Sequence, residues 1–253
     1  MLDHLHAIRM RYLNLVEATL TGVIYEDDAL PASGASGYDP NLREHGWDWP
    51  SKAFTMVGTK RLKNFRSMIE SVIGEGIPGD IVETGVWRGG ACILARAVLA
   101  TYGVTDRRVI LADSFAGLPM GDAGRYPADA GSIFHSFPEL AVSVETVRAN
   151  FRKFDLLDDQ VVFIEGWFED TMSSLDVDQI AVLRLDGDMY GSTMVVLQEL
   201  YDKVSPRGWI IIDDYEVVPA CKAAVSDFFE TRSLSPELTA IDGVGVFFRK
   251  MAP

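Results

Sequence analysis

Two pairs of aspartates in the C-terminal half of the chain have the residue type and spacing of a metal site. Asp186 and Asp188 follow one short apolar run, and Asp213 and Asp214 follow another. Such β-branched runs are typical of strands that are buried on both faces of a parallel sheet. The carboxyl ends of these strands form the edge where open α/β sheets bind ligands. Because four carboxylates at that edge repel one another, we expect a hard divalent cation between them.

The elements that must position these aspartates alternate between strands and helices. Apolar runs predict strands at residues 80–83, 108–112, 161–165, 180–186 and 209–213. Amphipathic stretches predict helices at residues 91–102, 144–154, 192–204 and 220–231. This alternation indicates an α/β fold with a doubly wound, mostly parallel sheet. Residues 238–249, around Asp242 and Gly243, predict an antiparallel hairpin that closes the sheet edge.

An N-terminal helical extension precedes this pattern. We assign residues 1–76 to the extension and residues 77–253 to the α/β domain. Residues 5–24 and 53–74 have the periodicity of amphipathic helices. The apolar stripe of the first helix requires a partner, which is either the core of this chain or a second copy, and we expect a homo-oligomer.

The long loop between these two helices carries several aromatic residues, among them Tyr38, Trp47 and Trp49. Long loops in compact domains are often lids or binding loops, and exposed aromatics favour an acceptor lid. A loop that its tryptophans pack onto the core is the alternative.

The composition limits the class of protein. The chain has 253 residues, of which 48% are hydrophobic and 24% charged, so we expect one large globular core. No apolar stretch has the length of a transmembrane helix. The net charge of −14 argues against nucleic acid or an anionic membrane as a partner. Cys92 and Cys221 lie in apolar segments with a helical pattern and resemble small core residues. Unpaired cysteines of this kind indicate a reducing compartment, so we expect a cytoplasmic protein.

A glycine-containing turn follows the first strand. Residues 83–90 have the sequence Glu-Thr-Gly-Val-Trp-Arg-Gly-Gly and lead directly into a helix. Glycines let a backbone approach a ligand closely at a helix N-terminus. The dinucleotide fingerprint would place a glycine at Trp87, so this turn departs from it. A cofactor-binding turn and a tight turn that needs Gly85 only for its geometry both stay open.

Acidic and aromatic residues at the neighbouring strand ends point to a nucleoside cofactor. Asp113 can accept hydrogen bonds from two ribose hydroxyls, or it can cap a helix. Glu83 favours adenosylmethionine, because its carboxylate suits a sulfonium ligand and would repel a pyrophosphate. Trp167 and Phe168 are placed to stack on an adenine, although both could be core residues.

Five motifs together resemble the macrocin O-methyltransferase family. They are residues 83–90, 112–115, 166–168, 185–190 and 212–215. The similarity extends from the first helix to the tail and is weakest at residues 29–49 and 122–140, where the acceptor should bind. It implies a Rossmann-like class I adenosylmethionine-dependent methyltransferase fold. It also implies Mg²⁺-dependent methylation of a sugar hydroxyl on a glycosylated small molecule such as a macrolide.

The resemblance assigns roles to individual residues. Matched by position, Asp186, Asp213 and Asp214 are the metal ligands and Asp188 is the general base. The expected contacts of adenosylmethionine are Thr55, Met56, Glu83, Thr84, Gly85, Val86, Trp87, Arg88, Asp113, Ser114, Phe115, Gly166, Trp167, Phe168 and Asp186.

These roles agree with the chemistry of a sugar hydroxyl. Coordination to a divalent cation lowers the high pKa of the hydroxyl, and a nearby carboxylate removes its proton. Asp186 and Asp188 are two positions apart, so on an extended chain both side chains share one face. His135 is a rival base, although a histidine between two phenylalanines is more often a packing residue.

Two other functions compete with this interpretation. A metal-dependent glycosyltransferase would use Asp186 and Asp188 as a DxD site and needs basic residues nearby, for which Arg88 and Arg184 are the candidates. A non-catalytic small-molecule-binding domain is the third hypothesis, and the intact acidic cluster argues against it.

Overall fold

The computed structural model describes residues 2–251. Its strands are β1 Asp80–Thr84, β2 Val109–Asp113, β3 Val161–Glu165, β4 Ile180–Leu185, β5 Val204–Ile212, β6 Thr239–Ala240 and β7 Val246–Arg249. They form one sheet in the order β3-β2-β1-β4-β5-β7-β6. Strands β1 to β5 are parallel, and β7 runs antiparallel to both β5 and β6. The strand order reverses between β1 and β4, which is where such sheets open a ligand crevice.

The helices cover both faces of this sheet. They are α1 Leu2–Leu20, α2 Pro40–His45, α3 Gly58–Gly74, α4 Gly90–Tyr102, α5 Val144–Lys153, α6 Phe168–Thr171, α7 Tyr190–Leu200 and α8 Pro219–Thr231. One hydrophobic cluster joins α1, α3, α4 and α5 to the sheet, and a second joins α7 and α8 to the opposite face. Ile81 and Val82 of β1 are both fully buried and belong to opposite clusters, as alternation along a strand requires. The predicted doubly wound sheet and its closing hairpin are confirmed.

The N-terminal extension shares the core of the sheet. Leu13 and Leu20 of α1 lie in the same hydrophobic cluster as Phe65 of α3 and the strands. Buried Arg66 of α3 also pairs with Glu17 of α1 at 3.1 Å. The outer face of α1 remains apolar and exposed, so self-association through it stays a prediction.

Two predicted helix boundaries in the extension are wrong. Helix α1 ends at Leu20 because Gly22, with φ +74°, turns the chain out of the helix. Helix α3 begins at Gly58 and not at residue 53. The N–H groups of Phe54 and Thr55 instead donate to the Leu20 carbonyl at 2.9 and 3.2 Å, which ties this segment to the end of α1.

Boundaries around α7 and β5 also differ from the prediction. Helix α7 begins at Tyr190, because the carboxylate of Asp129 accepts the N–H groups of Tyr190 and Gly191 at 2.7 and 2.9 Å. Strand β5 begins at Val204, where its pairing with Ile180 of β4 precedes a shift of register.

The long loop is held by a buried ion pair. Arg43 and Asp48 are each 1% exposed and pair at 2.6 Å. Arg43 also donates to the carbonyls of Thr21 and Asp27 at 2.7 and 2.6 Å. Trp47 is half exposed, whereas Trp49 is partly buried and packs edge-on against Phe137, with ring centroids 5.3 Å apart.

No helix within residues 2–251 is long and apolar enough to cross a membrane.

Candidate active site

A cavity of about 730 Å³ opens at the carboxyl ends of β1, β2, β4 and β5. One side, here called the strand-end wall, consists of residues that end or directly follow these strands: Glu83, Gly85, Asp113, Asp186, Asp188, Asp213 and Asp214. A second set of lining residues, here called the loop wall, comes from the connecting segments: Gly46, Trp47, Trp49, Leu118, Met120 and Phe134. The cavity is therefore lined both by the predicted catalytic and ligand-binding residues and by loops in which we expected the acceptor to bind.

The glycine turn forms the part of the cavity next to α4. Gly85 has φ +87°, and a Cβ there would overlap the carbonyl oxygen of Asp186. Its conformation and close packing therefore require glycine, as the geometric interpretation holds. Gly85, Val86 and Trp87 nevertheless line the cavity, so the turn also presents its backbone to a ligand. Trp87 has φ +45°, a conformation that L-residues rarely adopt, at the place where the dinucleotide fingerprint has glycine.

Four expected cofactor contacts lie outside the cavity lining. They are Thr84, Arg88, Phe115 and Gly166. Arg88 donates to the carbonyls of Pro50 and Ala53 at 3.0 and 2.8 Å. Phe115 is buried against Phe163, with ring centroids 6.3 Å apart. In this structure Arg88 and Phe115 therefore support the segments around the cavity, and contact of all four residues with the cofactor stays a prediction.

Asp113 does not cap a helix, since β2 is followed by an irregular segment, but it holds nearby backbone and also lines the cavity. Its carboxylate accepts the N–H groups of Val86 and Phe115 at 2.7 and 2.8 Å, which fixes both the glycine turn and the chain after β2. Burial raises the pKa of Asp113, and these backbone hydrogen bonds oppose that shift. Ser114 beside it also lines the cavity.

The remaining expected contacts lie around the same space. Thr55 and Met56 line it from the segment that precedes α3. Trp167 and Phe168 line it beyond β3, and Trp167 is 39% exposed. An aromatic face open to the cavity can stack on a planar base.

The predicted acidic cluster forms. Carboxylate oxygens of Asp186, Asp213 and Asp214 lie within 4.8 Å of one another. Asp188 lines the same cavity, on a backbone with φ +53°. Burial and the charges of Asp186 and Asp213 raise the pKa of Asp188 to about 7. Burial also raises the pKa of Asp214 well above its ordinary value, and the charges of Asp188, Asp186 and Asp213 add to this effect.

Two buried arginines offset part of this charge. Arg184 of β4 is 1% exposed and pairs with Glu83, with Asp186 at 2.7 Å, and with Asp213. Arg61 of α3 is 5% exposed and also pairs with Asp213. Glu83, expected at the polar end of the cofactor, lines the cavity while its carboxylate binds Arg184.

Sequence reasoning missed the role of Arg61. The residue lies beside Lys60 on an amphipathic helix, where a cation is usually solvated. A usable signal was the number of negative charges, because the six carboxylates of the strand-end wall outnumber the single cation that Arg184 supplies.

The residues present fit a hard divalent cation. The donor set is composed of carboxylate oxygens, which Mg²⁺ and Ca²⁺ prefer. Oδ2 of Asp214 is buried and accepts no hydrogen bond from the described part of the chain, so it has an unused lone pair beside the cluster. The DxD alternative requires cations free to bind phosphates. Arg88 holds backbone carbonyls and Arg184 holds carboxylates, which leaves neither available for that role.

Other polar residues considered from the sequence lie elsewhere. His135 is exposed and lies outside the cavity lining. The hydroxyl of Tyr190 donates to Asp227 at 2.8 Å, on the outer side of α7. Tyr215 packs under Lys222, whose nitrogen lies 4.7 Å from the ring centroid.

Comparisons with known proteins match this architecture. A sequence model described as macrocin-O-methyltransferase (TylF) matches residues 9–250. The chain is 48% identical over 244 residues to demethyldecarbamoylnovobiocin O-methyltransferase of Streptomyces niveus, covering 94% of this chain and 93% of that protein. It is 45% identical over 247 residues to mycinamicin III 3''-O-methyltransferase of Micromonospora griseorubida, covering 95% and 96%.

Solved structures agree with the sequence comparison. The O-methyltransferase NovP superposes with a TM-score of 0.93 at 46% identity, covering 96% of this chain and 100% of that one. The calicheamicin methyltransferase CalS11, at 19% identity and a TM-score of 0.61, shares the fold. The chain therefore belongs to the macrocin O-methyltransferase family and is an adenosylmethionine-dependent O-methyltransferase.

Proposed function

We propose that this protein methylates a hydroxyl of a deoxysugar carried by a natural product, with Mg²⁺ as an essential cofactor. The relatives named above are O-methyltransferases of novobiocin and mycinamicin intermediates. A third relative, 47% identical over 245 residues, is named for 4'-O-methylation of a rhamnosyl group on tetracenomycin C in Streptomyces olivaceus. The observation that carries the metal requirement is the cluster of Asp186, Asp213 and Asp214, with its unpartnered oxygen on Asp214.

The strand-end wall would hold both small cofactors. Asp186, Asp213 and Asp214 would be the cation ligands, and the glycine turn with Asp113 would hold adenosylmethionine together with Trp167 from the segment after β3. When bound, these groups supply Lewis acidity and an electrophilic methyl group. Our proposal gives the protein three tasks, which are to orient the acceptor hydroxyl, to exclude water and to take up a proton.

Asp188 is the residue we assign to the proton. Burial raises the pKa of Asp188 above that of an ordinary aspartate and so makes its carboxylate a better base, and a cation that offset the charges of Asp186 and Asp213 would keep this carboxylate deprotonated at neutral pH. Asp188 would take up the proton that the acceptor hydroxyl loses, while bound adenosylmethionine would supply the methyl group and leave as adenosylhomocysteine once its bond from sulfur to that methyl is broken.

The loop wall is suited to the acceptor scaffold. Trp47 is 50% exposed and Met120 74% exposed, and both line the cavity. Exposed apolar side chains at a cavity bind apolar rings and sugar faces by dispersion and by release of water. The loop wall would thus hold the aglycone and the sugar while the hydroxyl reaches the carboxylates.

Turnover before and after removal of metal tests the proposed function. Glycosylated natural products would be incubated with adenosylmethionine and the protein, with methylation followed by mass spectrometry. We expect methylation of a sugar hydroxyl that excess chelator abolishes and added Mg²⁺ restores. Full activity in excess chelator would contradict the metal requirement, and methylation of an aglycone position would contradict the sugar as acceptor.

A further inference from the structure

Arg61 connects the acidic cluster to two distant segments of the chain. Its Nη1 donates to Oδ2 of Asp213. Its Nε donates to Oδ2 of Asp242, in the turn between β6 and β7, at 3.0 Å. Its Nη2 donates to the carbonyls of His45 and Gly46, at the start of the loop wall, at 3.3 Å each. One guanidinium therefore binds the end of β5, the C-terminal hairpin and the loop wall.

The surrounding backbone is shaped to receive this guanidinium. A Cβ at Gly46 would overlap Nη2 of Arg61, and a Cβ at Gly245 would lie 3.2 Å from its Cδ. Asp242 is itself fixed, because its Oδ1 accepts the N–H groups of Val244 and Gly245 at 3.0 and 3.1 Å. These contacts hold the Arg61 side chain in one orientation.

Asp213 differs from its neighbour in how its oxygens are used. Arg184 donates to Oδ1 of Asp213 and Arg61 donates to Oδ2, so guanidinium groups bind both oxygens. Oδ2 of Asp214 accepts no hydrogen bond among residues 2–251. The orientation of the Asp213 carboxylate is thus set by the two arginines, and each oxygen retains a further lone pair.

We propose that Arg61 is a positioning residue, which fixes the Asp213 carboxylate for the cation and ties it to the loop wall. This role rests on the proposed metal site. Groups that hydrogen-bond to metal ligands typically change metal affinity by about 10–100-fold when they are replaced. Arg61 is such a group, although its position on a helix of the N-terminal extension hides this in the sequence.

Charge and geometry predict opposite effects for Arg61. As a bare positive charge it would repel the incoming cation, so its loss would strengthen metal binding. As a positioning residue it holds a ligand in place, so its loss would weaken metal binding. Arg61→Lys separates the two effects, because lysine keeps the charge but cannot span Asp213, Asp242 and the two carbonyls with a planar fork.

Isothermal titration of Mn²⁺ into the full-length protein tests the role. We expect the Kd of Arg61→Lys to rise by about 10–100-fold. Arg66→Lys is the matched control, since Arg66 is also a buried arginine of α3 but pairs with Glu17 and Glu70. Its Kd should equal that of the wild type. An unchanged or lower Kd for Arg61→Lys would overturn the role of Arg61 alone. A wild-type protein that binds no Mn²⁺ would overturn the metal site and the role together.

Asp242→Asn provides a second variant that leaves Asp213 and Arg61 in place. The substitution weakens the ion pair between Arg61 and Asp242, so we expect the Kd for Mn²⁺ to rise less than in Arg61→Lys. In the double variant with Arg61→Lys, Asp242→Asn should add nothing further, because both act through one contact. Fully additive effects would overturn the role, and so would an Asp242→Asn protein with wild-type affinity.

Discussion

The two walls of the cavity are built on opposite principles. The strand-end wall consists of carboxylates at the ends of parallel strands, tied down by Arg184 and Arg61. The loop wall consists of apolar side chains on connecting segments, and Trp47 and Met120 are half exposed or more. One wall concentrates negative charge at strand ends, and the other offers apolar surface on connecting segments, one of which is itself held by the buried Arg43–Asp48 pair.

This difference corresponds to a division of labour. Proton transfer and metal binding require atoms held within a fraction of an ångström, which strands supported by buried ion pairs can provide. Recognition of an acceptor scaffold tolerates looser placement and varies between relatives, which loops accommodate. We therefore expect substitutions in the strand-end wall to affect catalysis by orders of magnitude. Substitutions in the loop wall should affect acceptor affinity by smaller factors.

Asp214→Asn should produce the largest effect. Loss of a metal ligand removes several kcal/mol of transition-state stabilisation, so turnover with Mg²⁺ should fall by more than about 10³-fold. In chelator the same variant should melt at a higher temperature than the wild type. Burial and, after it, the charges of Asp188 and Asp186 raise the pKa of Asp214 in the folded protein, so the wild type loses stability as pH rises above the ordinary carboxyl range.

Methylation rates and thermal melting in chelator, between pH 5 and 8, check both parts of that prediction. The gap in melting temperature between variant and wild type should widen as pH rises. A variant that retains turnover would remove Asp214 from the metal site, and a gap that does not change with pH would contradict the charge argument.

Asp188→Asn should lower turnover by about 10²–10⁴-fold, the usual range for a positioned acid–base group. The side-chain volume is retained and only the basic oxygen is lost, so affinity for Mn²⁺ and for adenosylmethionine should be preserved. Single-turnover kinetics with calorimetry separate these quantities. A protein that loses its metal would make Asp188 a ligand instead of a base.

Asp113→Ala should weaken binding of adenosylmethionine by at least about tenfold and also lower stability. The N–H groups of Val86 and Phe115 would lose their acceptor, at a cost of about 1–3 kcal/mol. Cofactor titration and chemical denaturation give both quantities. Unchanged cofactor affinity with reduced stability would restrict Asp113 to its structural role.

Trp47→Ala tests the loop wall and should have the smallest effect on chemistry. We expect the KM for the acceptor to rise by about tenfold, from loss of aromatic contact area, while the maximal rate and the cofactor affinity stay nearly unchanged. Ile24→Ala is a suitable control, because Ile24 is 53% exposed and lies outside the cavity lining. A loss of maximal rate as large as that expected for Asp188→Asn would erase the distinction between the two walls.

The sequence by itself determined the fold class and the strand-end wall. Strand ends in a parallel sheet must meet at one edge, so the order of apolar runs and the residues that follow them were sufficient to bring Asp113, Asp186, Asp213 and Asp214 together. The same local logic identified Gly85 and Trp167. The sequence could not show which motif residues line the cavity, such as Gly85, and which lie outside its lining, such as Arg88 and Phe115.

Only the tertiary structure decided which side chains neutralise the acidic cluster and which distant segments line the cavity beside it. Arg61 comes from a helix 152 positions away from Asp213, and its role depends on the packing of that helix against β5 and the hairpin. Residues 55–57 line the cavity because the N–H groups of Phe54 and Thr55 bind the end of α1, whereas the local pattern favoured helix. Long-range contacts of this kind leave no local periodicity, since they depend on where whole elements pack and not on neighbouring residues.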